Sequence, residues 1–529
     1  MRKTTRRDIF KFAAGSAAGL VFTPAPWRLI TDTALWSENW PGIPRPARGQ
    51  TRTRFTHCAL CSAGCAVRAR CVNDQPVSLS GLAGSPLCAF GLAGHQLPYH
   101  TGRVKTGAIE EALAAIAQRR SHDAVAVLDL RPGRTASWTY RRAMAALPRG
   151  FYLAAQSAIP AVNLDQVRTL LSFGAPVLDG WGTPSTVLAA RSHFRLIQAE
   201  PLESHTAMLA DLWLPLRKGS EQALALGIAH VLMQEQNAGA SFPAEATAYS
   251  PARTAQLTGL PEAQIVSVAR ELAPGGALVL ASQEWPEILQ LNRLLGSVAH
   301  TIVGRRETPV PASWKKAAPV TAIEAVPDGS IGVLLIDESV CDGYLPWNAI
   351  EPKLAPAPLV VTFASSRAGY GRYARFTLPT AVYPEMTDDI PPALDSAAAT
   401  FRLATPLVAA PAGAVEPARF IAQLAGLPPA DALRERTDAI QSSGRGVLRT
   451  YADGKSIPVK GVKPDDFWKV LNEGGCWVDA PDPVEPPASA CQSSSAAVVA
   501  MTWEMRLARG PMSPLLSKLY EESNLRVRL

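Results

Sequence analysis

Three cysteines stand within eight residues near the start of the chain, and their spacing restricts how this segment can fold. Residues 57–71 read HCALCSAGCAVRARC, so Cys58, Cys61 and Cys65 follow the pattern C-x2-C-x3-C. A fourth cysteine, Cys88, follows after twenty-two further residues, in PLCAFG. Because the 529 residues contain only 8 cysteines, a disulfide-rich scaffold is excluded. Four of the eight cysteines therefore form one set with a motif-like spacing, which indicates a shared role.

Four thiols at this spacing suit a metal centre, and two kinds of centre are compatible with it. A cubane cluster takes one cysteine per iron, and the small residues between the first three cysteines let the backbone bend around it. Structural zinc also takes four cysteines, more often from two C-x2-C pairs. The pattern therefore favours one 4Fe-4S cluster on Cys58, Cys61, Cys65 and Cys88, with zinc as the alternative. We interpret His57 as a neighbour of the cluster. The remaining cysteines are interpreted as spectators or as buried or free thiols: Cys71, Cys341, Cys476 and Cys491.

The first thirty residues read as an export signal. Arg6 and Arg7 form a twin-arginine pair, and a short apolar run follows from Phe12 to Phe22. The run is short for a bilayer span, and no later segment reads as transmembrane. We expect export by the twin-arginine route to the periplasmic side of the cytoplasmic membrane. Because no cleavage motif is evident, the segment is also a candidate anchor, and any further attachment requires a partner subunit.

The charge pattern excludes one class of function. Charged residues make up 18% of the chain and the formal net charge is +7, but the basic residues are scattered outside the N-terminus. A nucleic-acid-binding protein normally concentrates them in a stripe or patch. We therefore expect no nucleic-acid partner.

Short apolar runs alternate with helical stretches over residues 106–480. The strands predicted from these runs are Ala124–Leu130, Thr169–Phe173, Phe194–Gln198, Ala277–Ala281, Gly332–Asp337 and Leu359–Phe363. The helices predicted between them include Glu110–Arg119, Glu221–Glu235 and Glu262–Leu272. Buried apolar strands that alternate with helices predict Rossmann-like parallel α/β domains.

The predicted organisation places a small iron–sulfur domain before these α/β domains. The segments are the export signal (1–30), the 4Fe-4S domain (31–105), the two halves of the α/β region (106–330 and 331–480), a Pro/Ser-rich linker (481–495) and the start of a β-barrel (496–529).

The cysteine spacing after a twin-arginine leader resembles the N-terminal iron–sulfur domain of the molybdopterin oxidoreductases, the 4Fe-4S family that binds molybdenum or tungsten through bis-MGD. Two later blocks are similar to the same family: LLSFGAPVLDGW at 170–181 and ADLWLPLRKGSEQALALGIAH at 210–230. The resemblance implies that these blocks contact a pterin dinucleotide, if one is bound. The residues that it assigns to this contact are Phe173, Gly174, Gly219, Ser220 and Glu221. The last two also suit an ordinary helix N-terminus, which is itself a phosphate site.

Three departures from the family pattern bear on function. A lysine is common two residues after the fourth cysteine, where this chain has Phe90, which has no charged donor. Only about forty residues separate the first α/β strand from the Phe-Gly block. This gap holds no cysteine, and Ser137 and Ser157 stand in no recognisable molybdenum-ligand motif. The segment 497–529 resembles the entry into the family's C-terminal barrel, and we expect this chain to carry only the start of that barrel.

The expected function follows from an intact cysteine set beside a missing molybdenum ligand. The chain resembles the cofactor-less family members in quinone-linked complexes, the alternative complex III and the menaquinone reductase complex. We expect an iron–sulfur electron-transfer subunit without a catalytic residue. Its partners would be a ferredoxin-like iron–sulfur subunit, a cytochrome c or a quinone-binding membrane subunit. Two alternatives stay open: a catalytic Mo-bis-MGD oxidoreductase, and a non-redox scaffold with a structural cluster.

Overall fold

The structure, a computed structural model, describes most of the chain up to residue 481. The described residues are 5–22, 49–82, 85–100, 102–155, 161–179, 181–236, 244–282, 285–298, 300–393, 395–428, 431–451 and 453–481. Ser157 and the expected barrel segment 496–529 lie outside them, as does the expected linker 481–495 apart from its first residue.

The strands are numbered in chain order. They are β1 (Thr51–His57), β2 (Ala66–Val72), β3 (Gln75–Gly81), β4 (Ala124–Asp129), β5 (Gly150–Ala154), β6 (Thr169–Phe173), β7 (Arg195–Glu200), β8 (Leu212–Pro215), β9 (Ala277–Ala281), β10 (Val320–Thr321), β11 (Ile331–Asp337), β12 (Leu354–Ala364), β13 (Phe376–Pro379), β14 (Asp388–Ile390), β15 (Ala399–Ala404), β16 (Val447–Arg449), β17 (Ser456–Pro458) and β18 (Cys476–Asp479).

The α-helices are numbered in the same way. They are α1 (Arg6–Phe22), α2 (Ala89–Ala93), α3 (Ile109–Arg119), α4 (Thr135–Ala146), α5 (Pro184–Ala190), α6 (His205–Met208), α7 (Glu221–Gln236), α8 (Pro251–Thr258), α9 (Glu262–Leu272), α10 (Pro286–Leu294), α11 (Trp347–Ile350), α12 (Pro417–Leu424), α13 (Ala432–Ser442) and α14 (Pro464–Asn472).

Helix α1 covers the apolar run of the expected export signal. Its side chains are exposed as far as Gly19, so this part of the helix packs on nothing that the structure describes. Among all the described helices, none combines the length and the apolar character needed to cross a bilayer.

Strands β1, β2 and β3 form an antiparallel sheet in that order. Asn73 and Asp74 make the turn between β2 and β3 with positive φ angles of 48° and 63°, a conformation that Asn and Asp tolerate. The middle of strand β2 alternates: Ala69 and Cys71 are buried, whereas the arginines at positions 68 and 70 are exposed. One face of this sheet therefore packs on the core. The cysteine loop connects β1 to β2 at one end of the sheet.

A six-stranded sheet of order β10-β5-β4-β11-β12-β13 forms the body of the chain, and all its pairs are parallel. Strands β4 and β11 are buried along their whole length because apolar clusters cover both faces of the sheet. The prediction of parallel α/β structure is confirmed. The boundary expected at residue 330 falls between β10 and β11, two strands of this one sheet.

A second parallel sheet has the order β8-β7-β6-β9. Helices α7 and α9 cover one face, and their apolar residues merge with those of the strands in the largest buried cluster described. The predicted strands and helices in this region all occur, with bounds shifted by at most two residues.

A five-stranded antiparallel sheet of order β14-β15-β18-β16-β17 closes the described region. The sequence patterns did not predict this sheet, because its strands are short and are interrupted by α12, α13 and α14. It binds the cysteine domain directly: Thr56 Oγ1 donates to the carbonyl oxygen of Thr405 at 3.0 Å, and the amide of Thr405 donates to Thr56 Oγ1 at 2.8 Å. The cysteine loop therefore lies between this sheet and the six-stranded one.

Candidate metal centre and the crevice beside it

The first three cysteines lie in the hairpin loop that joins β1 to β2. The amide of Cys58 donates to the carbonyl oxygen of Cys65 at 2.9 Å, which closes the loop, and the amide of Gly64 donates to that of Cys61 at 3.2 Å. Gly64 has a φ angle of +55°, which a residue with a Cβ rarely adopts. The small residues of the sequence motif thus permit a tight loop that carries three thiols.

The fourth cysteine is brought to this loop by the segment that follows β3. Ser85 Oγ accepts a hydrogen bond from the amide of Ala66 at 2.9 Å, and Cys88 stands directly before α2. A Cβ built on Gly91 of this helix would lie 3.7 Å from Cys58 Sγ. The structure therefore places the segment of Cys88 beside the loop.

The four thiols lie close enough for the charge of one to affect the pKa of another. Burial raises the pKa of Cys58 well above its ordinary value, and the neighbouring Cys61, Cys65 and Cys88 add to this rise. Burial and then the charges of Cys61 and Cys88 raise the pKa of Cys65 to about 11. Thiolates, the form that binds metal, thus repel one another here unless a cationic group lies between them. Cys88 is exposed, so the site has one edge at the surface.

The thiols converge without forming a compact coordination sphere. Among the described residues, no three His, Cys, Asp or Glu side chains lie close enough together to hold a metal ion. Zinc would draw each sulfur to within about 2.3 Å of a single centre. The donor chemistry, four thiols from one loop and one returning segment, fits an iron–sulfur cluster.

The other cysteines and His57 stand apart from this set. Charged neighbours of Cys71 are Arg54 and Asp74, not the four thiols. His57 Nδ1 lies 3.1 Å from the carbonyl oxygen of Leu403, which assigns the proton to Nδ1, and Nε2 has no hydrogen-bond partner. Burial lowers its pKa to about 3, so the ring is neutral. Cys341 and Cys476 are buried thiols, as expected, and Cys491 lies outside the described residues.

An ion pair from the six-stranded sheet holds the cysteine loop by its backbone. Arg131 follows β4, and its Nη1 donates to the carbonyl oxygen of Ala59 at 2.7 Å. Its Nε lies 2.8 Å from Asp342 Oδ2, and Asp342 Oδ1 accepts from the amide of Ser62 at 3.0 Å. The guanidinium is 1% exposed, so this contact is shielded from water.

A second guanidinium reaches the loop from the antiparallel sheet. Arg402 on β15 donates from Nη1 to the carbonyl oxygen of Ala63 at 3.1 Å. A Cβ on Gly64 would lie 2.7 Å from the same Nη1, so a larger residue at this position would have to displace the guanidinium. The charge of Arg402 lowers the pKa of Cys65, against the larger effect of burial.

A crevice opens beside the loop where parallel sheets usually bind ligands. Chain order reverses between β4 and β11, and ligands bind outside the carboxyl ends of strands at such a point. Asp129 and Asp337 end these two strands and are paired in register. Tyr152 donates its hydroxyl to Asp129 at 2.8 Å, and Tyr140 donates to Asp337 at 2.8 Å. Both carboxylates are fully buried.

Arg134 fills this crevice. Its guanidinium donates to Asp337 Oδ2 at 2.6 Å, to Asp388 Oδ2 at 2.8 Å and to Asp129 Oδ1 at 3.4 Å. The arginine side chain is 3% exposed. Burial raises the pKa of Asp388 to about 6, although the charge of Arg134 opposes the rise. The protein's own side chains therefore occupy the hydrogen-bonding groups that a ligand would use.

A further buried ion pair, between Arg436 and Asp389, lies beside this crevice. Arg436 on α13 donates to Asp389 Oδ2 at 2.9 Å and to the carbonyl oxygen of Gly133 at 3.0 Å. Asp389 Oδ1 accepts from the amide of Thr135 at 2.8 Å, at the start of α4. Ser137 is buried as well, and its hydroxyl donates to the carbonyl oxygen of Arg131 at 3.3 Å. Ser137 is thus directed into the backbone, not towards a ligand space.

The remaining space between the cysteine loop and the strand ends is small. It is lined by Ala59, Leu60, Glu338, Cys341 and Tyr383 among others, and about 30 Å³ is open to the centre of a water molecule. This volume suffices for about one water, whereas ligand pockets measure about 300–1,000 Å³.

The residues assigned to a pterin dinucleotide lie on one edge of the second sheet. Gly174 follows β6 and Gly219 follows β8, both with positive φ angles, and β7 lies between these strands. Ser220 Oγ donates to the carbonyl oxygen of Arg217 at 2.6 Å, and Glu221 begins α7. The fifth residue, Phe173, is fully buried in the core. The two glycine turns thus follow the carboxyl ends of two strands of one sheet, whereas Phe173 belongs to the buried core.

Sequence reasoning missed the charged residues around the loop and the crevice. Asp129 and Asp337 were visible as acidic ends of apolar strands, a signal for a site at the carboxyl edge. The role of Arg134 was not visible in the sequence, because its carboxylate partners lie as many as 254 positions away in the chain.

Comparisons with known proteins agree with this architecture. No family model matches the chain. The chain is 28% identical, over 485 residues, to the menaquinone reductase, molybdopterin-binding-like subunit, of Nitratidesulfovibrio vulgaris, with 76% of this chain and 69% of that relative covered. It is 25% identical over 317 residues to the thiosulfate reductase molybdopterin-containing subunit PhsA of Salmonella typhimurium. That match covers 47% of this chain and 42% of the relative, so it spans less than half of either protein.

A solved structure extends the agreement to the fold. Acetylene hydratase from Pelobacter acetylenicus superposes with a TM-score of 0.60 and 16% identity, covering 81% of this chain and 74% of that one. At this identity the likeness concerns the fold alone. The relatives matched by sequence are molybdopterin oxidoreductase subunits, and their similarity supports the resemblance of this chain to that family.

Proposed function

We propose that this chain is an iron–sulfur electron-transfer subunit of a membrane-associated respiratory oxidoreductase complex. It carries one 4Fe-4S cluster on Cys58, Cys61, Cys65 and Cys88 and binds no molybdenum. The observation that carries the proposal is the contrast between two neighbouring sites. The four thiols converge, whereas the crevice beside them is filled by the buried guanidinium of Arg134 and its three carboxylates.

The residues of the site suit an electron relay. When bound, a cluster of this kind takes up and releases single electrons. Cys58 is buried and Cys65 is half-buried, which limits the access of water on that side of the site and favours a stable cluster. Exposure of Cys88 leaves an edge at which a partner protein can approach. The strand-end carboxylates of the filled crevice accept hydrogen bonds from Arg134, Tyr140 and Tyr152, so the protein's own side chains engage them.

The proposed setting is a membrane complex. One relative is named as a subunit of menaquinone reductase, which supports a quinone-binding membrane subunit as partner. A ferredoxin-like iron–sulfur subunit or a cytochrome c would complete the electron path. The twin-arginine pair Arg6–Arg7 supports a location on the periplasmic side of the cytoplasmic membrane.

A catalytic molybdopterin oxidoreductase is the second candidate. It is favoured by the relative that is named a molybdopterin-containing subunit, and by Gly174 and Gly219 on one edge of the second sheet. The filled crevice between β4 and β11 argues against it.

Metal analysis and low-temperature electron paramagnetic resonance on anaerobically purified protein test the proposal. We expect about four irons per chain, a cubane signal after reduction with dithionite, and neither molybdenum nor tungsten. Molybdenum or tungsten near one per chain would establish the catalytic alternative. Zinc in place of iron, or a cluster that does not cycle reversibly during redox titration, would make the site structural.

A further inference from the structure

Three charged side chains hold the cysteine loop from the rest of the chain, and we call Arg131, Asp342 and Arg402 the loop clamp. Each makes a hydrogen bond to the backbone of the residues between Cys58 and Cys65: the two arginines to carbonyl oxygens and the aspartate to an amide. All three come from outside the cysteine domain: Arg131 and Asp342 from the six-stranded sheet and its loops, and Arg402 from the antiparallel sheet.

The charges of the loop clamp are not balanced. Arg131 and Asp342 form an ion pair at 2.8 Å and largely cancel one another. Arg402 pairs with no carboxylate among the residues that the structure describes, and its Nε is buried without a hydrogen-bond partner. One uncompensated positive charge therefore lies against the loop, next to Gly64.

We propose that the loop clamp sets the reduction potential of the cluster: Arg402 raises it and Asp342 lowers it. This inference rests on the proposed function. Reduction adds one electron to the cluster and breaks no bond, so a nearby positive charge stabilises the reduced form and a nearby negative charge destabilises it. Such effects are large where burial excludes water, because the interaction of charges grows as the local dielectric constant falls. Net charge and hydrogen bonding around the sulfurs are known determinants of cluster potential.

Charge changes of opposite sign at two clamp positions separate electrostatics from loosening of the loop. Arg402→Gln removes the positive charge and keeps an amide donor, and Arg402→Lys keeps the charge. Asp342→Asn removes the negative charge with almost no change of shape, and its oxygen can still accept from the amide of Ser62. Arg305→Gln is the matched control, because Arg305 is a largely buried arginine that donates to the carbonyl oxygens of Ala393 and Ser396 and not to the cysteine loop.

Redox titration followed by electron paramagnetic resonance, with iron analysis of each variant, tests the inference. We expect Arg402→Gln to lower the ratio of reduced to oxidised cluster at a fixed potential about tenfold, a shift of about 59 mV for one electron. Asp342→Asn shifts the potential in the opposite direction, and Arg402→Lys and Arg305→Gln stay close to the wild type. Shifts of the same sign in Arg402→Gln and Asp342→Asn, or no shift in either, would overturn the inference.

The same measurements separate this inference from the proposed function. A wild-type protein without a cluster overturns both. A wild-type cluster with potentials unaffected by the variants overturns the inference alone. Should Arg402→Gln lose its iron, Asp342→Asn decides: a potential above the wild-type value supports the inference, and one at or below it overturns it.

Discussion

Replacing Arg134 with methionine should strongly destabilise the six-stranded sheet, because it leaves three buried carboxylates without their shared cation. The guanidinium lies 2.6 Å from Asp337, 2.8 Å from Asp388 and 3.4 Å from Asp129, and the two strand-end carboxylates are fully buried. Removing one partner of a buried ion pair costs about 3–5 kcal/mol. With three carboxylates left behind, we expect a loss in the free energy of unfolding near the upper end, about 5 kcal/mol.

Urea unfolding followed by tryptophan fluorescence and near-UV circular dichroism measures this loss. Arg270→Met is the matched control, because Arg270 makes a bidentate ion pair with Glu235 at the surface, where water screens the charges. We expect no measurable change in the control. If Arg134→Met unfolded at the same urea concentration as the control, the buried network would not stabilise the sheet as argued.

The pH dependence of the same variant gives a second check. The pKa of Asp388 in the folded protein is about 6, above its ordinary value of 3.8, so the folded state binds the proton more tightly. Its contribution to stability is therefore present in full below about pH 4 and is lost as the pH rises through about 6. Without Arg134, which lowers this pKa, the carboxylate should hold its proton to higher pH. The loss caused by Arg134→Met should consequently shrink between pH 7 and pH 5, and a loss that grows on acidification would contradict the reasoning.

Three further substitutions test the site and its support. Cys58→Ala should reduce the iron content and abolish the cubane signal, whereas Cys71→Ala, a buried cysteine outside the set, should leave both unchanged; equal iron loss in the two variants would contradict the ligand assignment. Gly64→Ala should lower the iron content after reconstitution, because a left-handed conformation costs about 1–2 kcal/mol for a residue with a Cβ, and wild-type loading would show that the loop tolerates it. Glu385→Gln should lower the free energy of unfolding, measured in urea, by about 3–5 kcal/mol. The substitution leaves the buried guanidinium of Arg103 without the carboxylate with which it makes a bidentate pair. A change within experimental error would refute this expectation.

Local patterns in the sequence were sufficient for the elements whose cause is local. Strands β4, β9 and β11 are mainly apolar runs because both faces of their sheets are covered, and such runs are visible in the sequence. The cysteine set was equally visible, since three of its members share one loop and the fourth follows at a fixed spacing. The antiparallel sheet formed by β14 to β18 was not visible in the sequence, because its strand pairs, such as Phe401 with Trp477, join residues far apart in the chain.

The sequence by itself determined the parallel α/β class, the cysteine loop and the glycine that allows its turn. These features depend on residue type and on spacing along the chain. Only the tertiary structure decided what surrounds the loop, because Arg402 and Asp342 reach it from about 280–340 positions away. It also decided that Arg134 fills the crevice between β4 and β11. Long-range ion pairs depend on which side chains the sheets bring together, and no local pattern encodes that.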